Sequence, residues 1–294
     1  IFNGTLTLHN NSSSTIRLAD NSAGNQFNGN IELNSTSGGG IYFGNNVNGT
    51  STLAAGRTIA VGSSGFLTGD VRLIRFTQVG PTPQTLNLGG IAILTLGPTS
   101  TFDGDIDFRS PQLYLNGTTF NRTSYLEKKG AVDNYSNGGN TFVGSATLVD
   151  SGSGYLAMAQ FSPDVFQSDL TATNTGSNVI YLANNVPGNA FNGNITFNST
   201  LGSQGIYIGN NGPASATLGN GASLLTGGLG FSSGELRLKR LTQIGSSAQT
   251  LTLTGTALLR IGPVTTFNGD VNFRSPQIAL DGAVYNGVTY IKKT

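Results

Sequence analysis

Cysteine and tryptophan are absent from this 294-residue chain, methionine and histidine each occur once, and charged residues make up only 10% of it. Without cysteine there is neither a disulfide scaffold nor a thiolate metal site; the compartment stays open, because many secreted chains also lack cysteine. A net charge of +1 gives no electrostatic case for nucleic acid or for an anionic membrane surface. No apolar run is long enough to span a bilayer, so no membrane insertion is expected, and Ile1-Phe2-Asn3-Gly4 is not a signal peptide. G-x-S-x-G, P-loop and H-E-x-x-H motifs are missing. The sole His9 has no acidic or basic neighbour and no partner motif, whereas nucleophilic catalysis needs a positioned triad.

What the chain has instead is 43 glycines and a recurring short phrase. Phe27-Asn28-Gly29-Asn30 returns as Phe2-Asn3-Gly4, Phe102-Asp103-Gly104-Asp105, Phe142-Val143-Gly144, Phe166-Gln167-Ser168-Asp169, Phe191-Asn192-Gly193-Asn194 and Phe267-Asn268-Gly269-Asp270. Four and six residues after each Phe the chain is mostly aliphatic or aromatic, as in Ile31 and Leu33, Ile106 and Phe108, Ile195 and Phe197. These offsets share one parity, so in a strand the residues point to one face while Glu32, Asp107, Thr196 and Asn272 point to the other. Gly and its Asn or Asp neighbour suit a turn just before that strand.

Successive Phe positions are separated by 25 (2 to 27), 75 (27 to 102), 24 (142 to 166), 25 (166 to 191) and 76 (191 to 267) residues. The unit is therefore about 25 residues, with two or three short strands and no helical periodicity. Such a unit cannot bury its apolar face alone and must stack on its neighbours. The expected fold is all-β: a parallel β-helix, or β-solenoid, with right-handed coiling. Strands are expected near 5–8, 15–18, 30–33, 41–43, 58–61, 70–74, 85–88, 91–96, 105–108 and 112–115, and again near 145–149 and 155–158. Phe142, Gly144, Ala146, Leu148, Tyr155 and Ala157 keep the rung pattern through 131–164. Pro111 and Pro276 are expected at corners, where a missing N–H is harmless. The gap of 40 from Phe102 to Phe142 reads as one long turn within residues 116–141.

A larger repeat lies above the rung. Residues 1–130 match 165–294 at an offset of 164 or 165: Gly40-Ile41-Tyr42-Phe43-Gly44 answers to Gly205-Ile206-Tyr207-Ile208-Gly209, and Phe108-Arg109-Ser110-Pro111-Gln112 returns unchanged as Phe273-Arg274-Ser275-Pro276-Gln277. The expected organisation is one continuous solenoid over 1–294, with 1–164 the first large repeat and 165–294 a second, incomplete one. Both ends fall inside the large period, so a segment of a longer array is expected, one whose end rungs associate end to end with another copy.

The polar clusters have structural readings beside functional ones. Asp103, Asp105 and Asp107 form a D-x-D-x-D stretch able to ligate calcium, but the second copy has Asn268, Asp270 and Asn272 there, and turn formation accounts for all of them. Arg72, Arg75 and Arg109 recur as Arg237, Arg240 and Arg274, and Asp70 recurs as Glu235, as a cross-rung charge ladder on an exposed face would. Glu127, Lys128, Lys129 and Asp133 lie in the irregular stretch, with Lys128 recurring as Lys293. Thr-x-Thr at Thr5 to Thr7 and Thr171 to Thr173 invites an ice-binding reading, yet Glu32, Asp107 and Asn272 interrupt the register. Sequons such as Asn34-Ser35-Thr36, Asn48-Gly49-Thr50 and Asn116-Gly117-Thr118 arise readily in a chain rich in Asn, Ser and Thr. No catalytic, cofactor-binding or metal-ligating residue is assigned, and no cofactor is expected.

The nested phrases F-N-G-N-I, G-I-Y-F-G-N-N, Q-T-L, F-N-G-D-V and F-R-S-P-Q resemble the repeats of very large tandem-repeat secreted surface proteins of Bacteroidota, of the adhesin or filament type. That resemblance implies an extracellular or cell-surface fibre segment, structural or adhesive and not an enzyme. The expected partners are the chain itself, end to end, and surface glycans. The alternative reading is a carbohydrate-binding or carbohydrate-active β-helix protein, a lyase or hydrolase.

Overall fold

The computed structural model describes residues 1–200 and 202–294, and every regular element among them is a β-strand. The chain divides into two compact units, one of residues 1–132 with 140–144 and the other of residues 133–139 with 145–294. Each is a stack of parallel rungs, so the fold is the expected parallel β-helix.

A rung carries three strands. In the first unit Ile31–Ser35, Ile41–Phe43 and Ser51–Leu53 make one turn of the coil. Each pairs in parallel with the equivalent strand of the next rung: Ile31 with Ile59, Ile41 with Val71, Ser51 with Phe76. Most strands are only three to five residues long and follow a buried, outward, buried pattern, as in Ile41–Phe43 and Ile206 to Ile208. A short strand of this kind supplies two core residues and a single outward one per rung. The second unit repeats the arrangement with Ile195–Ser199, Gly205–Ile208 and Ala216–Leu218.

The repeated Phe sits inside a strand rather than in the turn before one. It closes the third strand of its rung, in Asn25–Phe27, Thr101–Phe102, Asn189–Phe191 and Thr266–Phe267, and the Asn-Gly after it makes the corner. Phe27, Phe102, Phe191 and Phe267 are buried, and like neighbours stack where rungs follow directly: Phe2 on Phe27 at 5.0 Å, Phe166 on Phe191 at 5.2 Å, Phe267 on Tyr285 at 5.8 Å.

The gaps of 75 and 76 hold rungs that lack Phe at this position. Leu53 and Gln78 continue the column from Phe27 to Phe102, and Leu218 and Gln243 continue it from Phe191. A buried glutamine in an apolar column must have its amide satisfied. Gln78 accepts from Gly104 N at 2.8 Å and donates to Val79 O and Gly80 O; Gln243 accepts from Gly269 N and donates to Ser247 O.

The stretch read as one long turn is instead two irregular rungs. Thr119–Phe120 places Phe120 between Phe102, 5.9 Å away, and Phe142, 4.9 Å away, so the gap of 40 is 18 plus 22. Tyr285 holds the equivalent 18-residue position after Phe267.

Two devices recur in both copies without having been legible as such. The strands Ile59–Phe66 and Leu224–Phe231 bulge outward between residues paired with Leu33 and Ser35, or Phe197 and Ser199. Asn34 Oδ1 accepts from Ser64 N under the first bulge and Asn198 Oδ1 from Leu229 N under the second. A Cβ on Gly62 or Gly227 would lie within 2.5 Å of those side chains, which explains the glycine there. The next rung then meets Ile59 N and Leu224 N not with a backbone carbonyl but with the buried amides of Gln84 (2.8 Å) and Gln249 (2.7 Å), the glutamines of the Q-T-L phrase. Corners behave alike too: Ala19 and Ala183, Arg75 and Arg240, Thr99 and Val264 all have left-handed φ between 49° and 61°. Pro111 and Pro276 stand at corners as expected, each after a buried serine whose Oγ bonds Ala92 O or Ala257 O.

Candidate functional site: an aromatic and cationic sheet face

The second strand of each rung presents an outward side chain between its last two core residues, and parallel pairing lines these up in a column. In the first unit the column runs Arg17, Tyr42, Arg72, Thr95, Tyr114. In the second it runs Tyr135, Ala157, Tyr181, Tyr207, Arg237, Arg260, Ala279.

In the first unit Arg72 lies over the Tyr42 ring at 4.3 Å and donates from Nε to Asp70, whose other oxygen accepts from Thr95 at 3.1 Å. Asp70 is buried, which corrects the expectation of an exposed pair. Burial raises the Asp70 carboxyl above its ordinary value despite Arg72, while the pair holds the more hydrated Arg72 protonated against its own partial burial. Beside this pair lies an open groove of about 660 Å³, lined by Ser13, Tyr42, Asp70, Arg72, Ile91 and Val132 among others, with Ile91 and Val132 exposed.

In the second unit the tyrosines form a row. Ring centroids are 4.8 Å apart from Tyr135 to Tyr155, 5.6 Å from Tyr155 to Tyr181 and 5.4 Å from Tyr181 to Tyr207, each pair edge to face. Tyr155 and Ala157 do lie in a rung as expected, but with the opposite parity: Leu156 and Met158 point inward, and Ala157, though outward, is buried in a row of tyrosine rings. Arg237 caps the row at 3.9 Å above Tyr207. Glu235 Oε1 accepts from Nε of both Arg237 (2.7 Å) and Arg260 (2.9 Å). Burial, reinforced by Glu235, raises the Tyr207 phenol. Arg237, Lys239, Arg260, Gly262, Pro263 and Asp281 line a cavity of about 230 Å³ at this end.

The clusters singled out in the sequence meet at Arg109, which bridges Asp107 and Glu127, while their other members go to separate partners. Asp103 accepts from Asn121 Nδ2 and Gly80 N, Asp105 from Thr123 N, and Asp107 from Arg109, so the D-x-D-x-D carboxylates serve three separate structural contacts. Arg109, held protonated chiefly by its bond to Asp107, also lies over Tyr125 at 4.6 Å and within 3.7 Å of Glu127. Among the described residues no group of three His, Cys, Asp or Glu is placed to hold a metal ion.

Arg75 and Arg240 are not part of a charge ladder. From their left-handed corners they donate to main-chain carbonyls, Gly44 O, Gly49 O and Asn46 O for Arg75 and Asn211 O for Arg240. Lys128 is fully buried and donates to Gly130 O, whereas its counterpart Lys293 is exposed, so this pair does not recur in environment. Lys129 donates to Asn87 Oδ1 and Leu88 O, and Asp133 accepts from Tyr155 N. His9 is exposed opposite Asn34.

At the corner after the Phe some asparagines bond rung to rung, Asn28 donating to Asn3 and Asn286 to Asn268, while Asn192 faces Gly219. The Thr-x-Thr register is interrupted as read, with Thr7 opposite Glu32, but an in-register threonine column does exist on the third sheet: Thr52, Thr77, Thr101, Thr119 and Thr141. The outward tyrosines were the signal missed. Tyr42 and Tyr207 stand as the middle residue of Ile-Tyr-Phe and Ile-Tyr-Ile, the outward place in a three-residue strand. Comparison of the chain with protein-family models, with curated proteins and with solved structures returns no match.

Proposed function

We propose that this chain is a non-catalytic structural or adhesive segment of an extracellular or cell-surface fibre, built from tandem β-solenoid rungs and associating end to end with its own kind. One observation carries the reading. In both copies the carboxylates beside the arginine column are engaged by arginine, Asp70 with Arg72, Asp107 with Arg109 and Glu235 with Arg237 and Arg260, and others accept from hydroxyl, amide or main-chain donors, as Glu32 does from Thr7, Asp103 from Asn121 and Asp105 from Thr123. General acid–base chemistry needs two such groups facing a common substrate position. What remains available outward is a row of tyrosines and arginines, side chains suited to contact. The test is incubation with a panel of polysaccharides, followed by assay for new reducing or unsaturated ends, beside adhesion of the labelled protein to cells. Adhesion without new ends is expected; turnover would overturn the reading.

A second reading rests on Asp70. A carboxyl raised by burial beside a groove is a feature of catalytic acids. Polysaccharide cleavage abolished by Asp70→Asn would establish that reading, and cleavage unchanged by it would remove Asp70 from consideration.

A further inference from the structure

We propose that the outward face of the second unit, from Tyr135 to Arg260, binds a linear polysaccharide that carries carboxylates. Tyr155, Tyr181 and Tyr207 take the sugar rings, and Arg237, Arg260 and Lys239 take the acid groups. The inference rests on the adhesive reading above and names the partner of that surface.

The row of rings is preformed. Edge-to-face packing fixes each tyrosine against the next, and the strands of Tyr181 and Tyr207 are paired on both sides in their sheet, so little side-chain entropy is lost on binding. Tyr181 and Tyr207 are register partners on adjacent rungs, so their ring spacing of 5.4 Å follows the rung-to-rung distance of a parallel sheet, and Tyr155, two residues before Ala157, extends the row at 5.6 Å from Tyr181. This spacing is close to the advance per residue of an extended 1,4-linked pyranose chain, so successive sugars meet successive rings.

Charge selects the class of chain. Arg237, Lys239 and Arg260 face only Glu235 and Asp281, three cations against two anions. Glu235 engages both arginines through Nε alone, which leaves their terminal amino groups and the Lys239 ammonium without a protein acceptor among the described residues. A guanidinium in this state offers its paired N–H groups to a carboxylate. The cavity of about 230 Å³ between these side chains and Gly262 lies at the end of the tyrosine row, where the acid group of a bound sugar would enter. Single-stranded nucleic acid also stacks on aromatic rows, but it draws its affinity from many phosphate contacts, and this chain carries a net charge of only +1.

The first copy is an internal control. Its residues at the places of Lys239 and Arg260 are Ile74 and Thr95, and at the place of Tyr181 it has Arg17. Core residues at the same rungs stay apolar, with Phe43 against Ile208 and Val71 against Leu236, whereas the outward places change in charge and polarity, which is where a ligand would be selected.

The test is titration of the whole chain, by calorimetry, with polygalacturonate, with a neutral 1,4-linked glucan of equal length, with a sulfated polysaccharide and with poly(U), each at low and at physiological salt. Polygalacturonate is expected to bind most tightly. Lys239→Ile with Arg260→Thr, the residues of the first copy, should weaken it by about tenfold or more and flatten its salt dependence, each tenfold corresponding to about 1.4 kcal/mol. Tyr181→Ala should weaken binding about tenfold at an unchanged melting temperature, since the ring is outward, and Tyr207→Phe should leave it intact. Equal binding of the neutral glucan, tighter binding of the sulfated chain or poly(U), or double-variant affinity equal to the parent would each overturn the assignment. Adhesion to cells persisting without polygalacturonate binding would sink this inference alone, whereas cleavage of any polymer would sink the non-catalytic reading.

Discussion

The same sheet face is written twice in this chain, with different outward columns on nearly identical supports. The first unit presents Arg17, Tyr42, Arg72, Thr95 and Tyr114; the corresponding places in the second are Tyr181, Tyr207, Arg237, Arg260 and Ala279. Beneath them the residues hardly differ in kind. Ile41, Val71 and Leu94 answer to Ile206, Leu236 and Leu259, all fully buried. The lesson is a division of labour imposed by the three-residue strand: its flanking positions are tied to the core of the coil and its middle position is free to diverge. Tyr42–Arg72 and Tyr207–Arg237 are kept as cation–π pairs in both copies, at 4.3 and 3.9 Å. Around them one copy has Asp70 with a single arginine and a neutral groove, the other Glu235 with two arginines and a lysine.

If the supports are equivalent, equal injuries to the two copies must cost the same. The largest expected effect is in the aromatic column: Phe27→Ala and Phe191→Ala should each destabilise by about 3–5 kcal/mol, the cost of truncating a buried aromatic. Denaturant unfolding of the two variants checks this, and an unmoved midpoint for either would remove that residue from the core. Next come the glutamines that close the bulge. Gln84→Leu and Gln249→Leu leave Ile59 N and Leu224 N buried without an acceptor, at about 1–3 kcal/mol each. Amide hydrogen exchange at Ile59 and Leu224 should rise selectively; unchanged protection would show that the glutamines are dispensable.

Two further experiments probe where the copies differ. The Asp70 carboxyl is raised by burial, so the folded state holds its proton to higher pH than the unfolded chain does. Its contribution to stability is therefore fully present below the ordinary Asp range and is lost as pH rises through the folded-state value. The melting temperature of the parent relative to Asp70→Asn should accordingly fall as pH is raised through that window, and a parallel pair of curves would contradict the burial. The smallest effect on stability is expected from Arg260→Thr. Arg260 is 38% exposed and shares Glu235 with Arg237, so its loss should shift stability by no more than about 1 kcal/mol. A larger drop in thermal unfolding would make Arg260 part of the support rather than of the diverging surface.

Much of this was legible in the residues. The recurring offsets of four and six after Phe27 identified Ile31 and Leu33 as inward because side chains alternate in a strand, whereas Phe27 is inward as the end of the preceding strand, before the Asn-Gly corner. The expected strands near 30–33, 41–43, 70–74 and 112–115 stand at Ile31–Ser35, Ile41–Phe43, Asp70–Leu73 and Gln112–Leu115. The third strand of each rung went unread because it is two or three residues long, as in Thr101–Phe102 and Ser51–Leu53, and its core position varies among Phe, Leu and Gln. Phe120 was hidden for the same reason, since an 18-residue rung breaks the count of 25.

By itself the sequence determined the parallel coil, its period and its doubling, because stacked rungs require the same parity at every repeat and that requirement is written in the spacing of Phe, Ile and Gly. Only the tertiary structure decided which side chains share a surface. Tyr135, Tyr181, Tyr207, Arg237 and Arg260 are scattered over more than a hundred residues of chain and become neighbours through register alone. Likewise, nothing local distinguishes Gln78 and Gln243 as core residues: they are buried because the column they continue is closed on every side by the coil, and they tolerate burial because a main-chain N–H of the next rung and carbonyls of their own corner satisfy their amides.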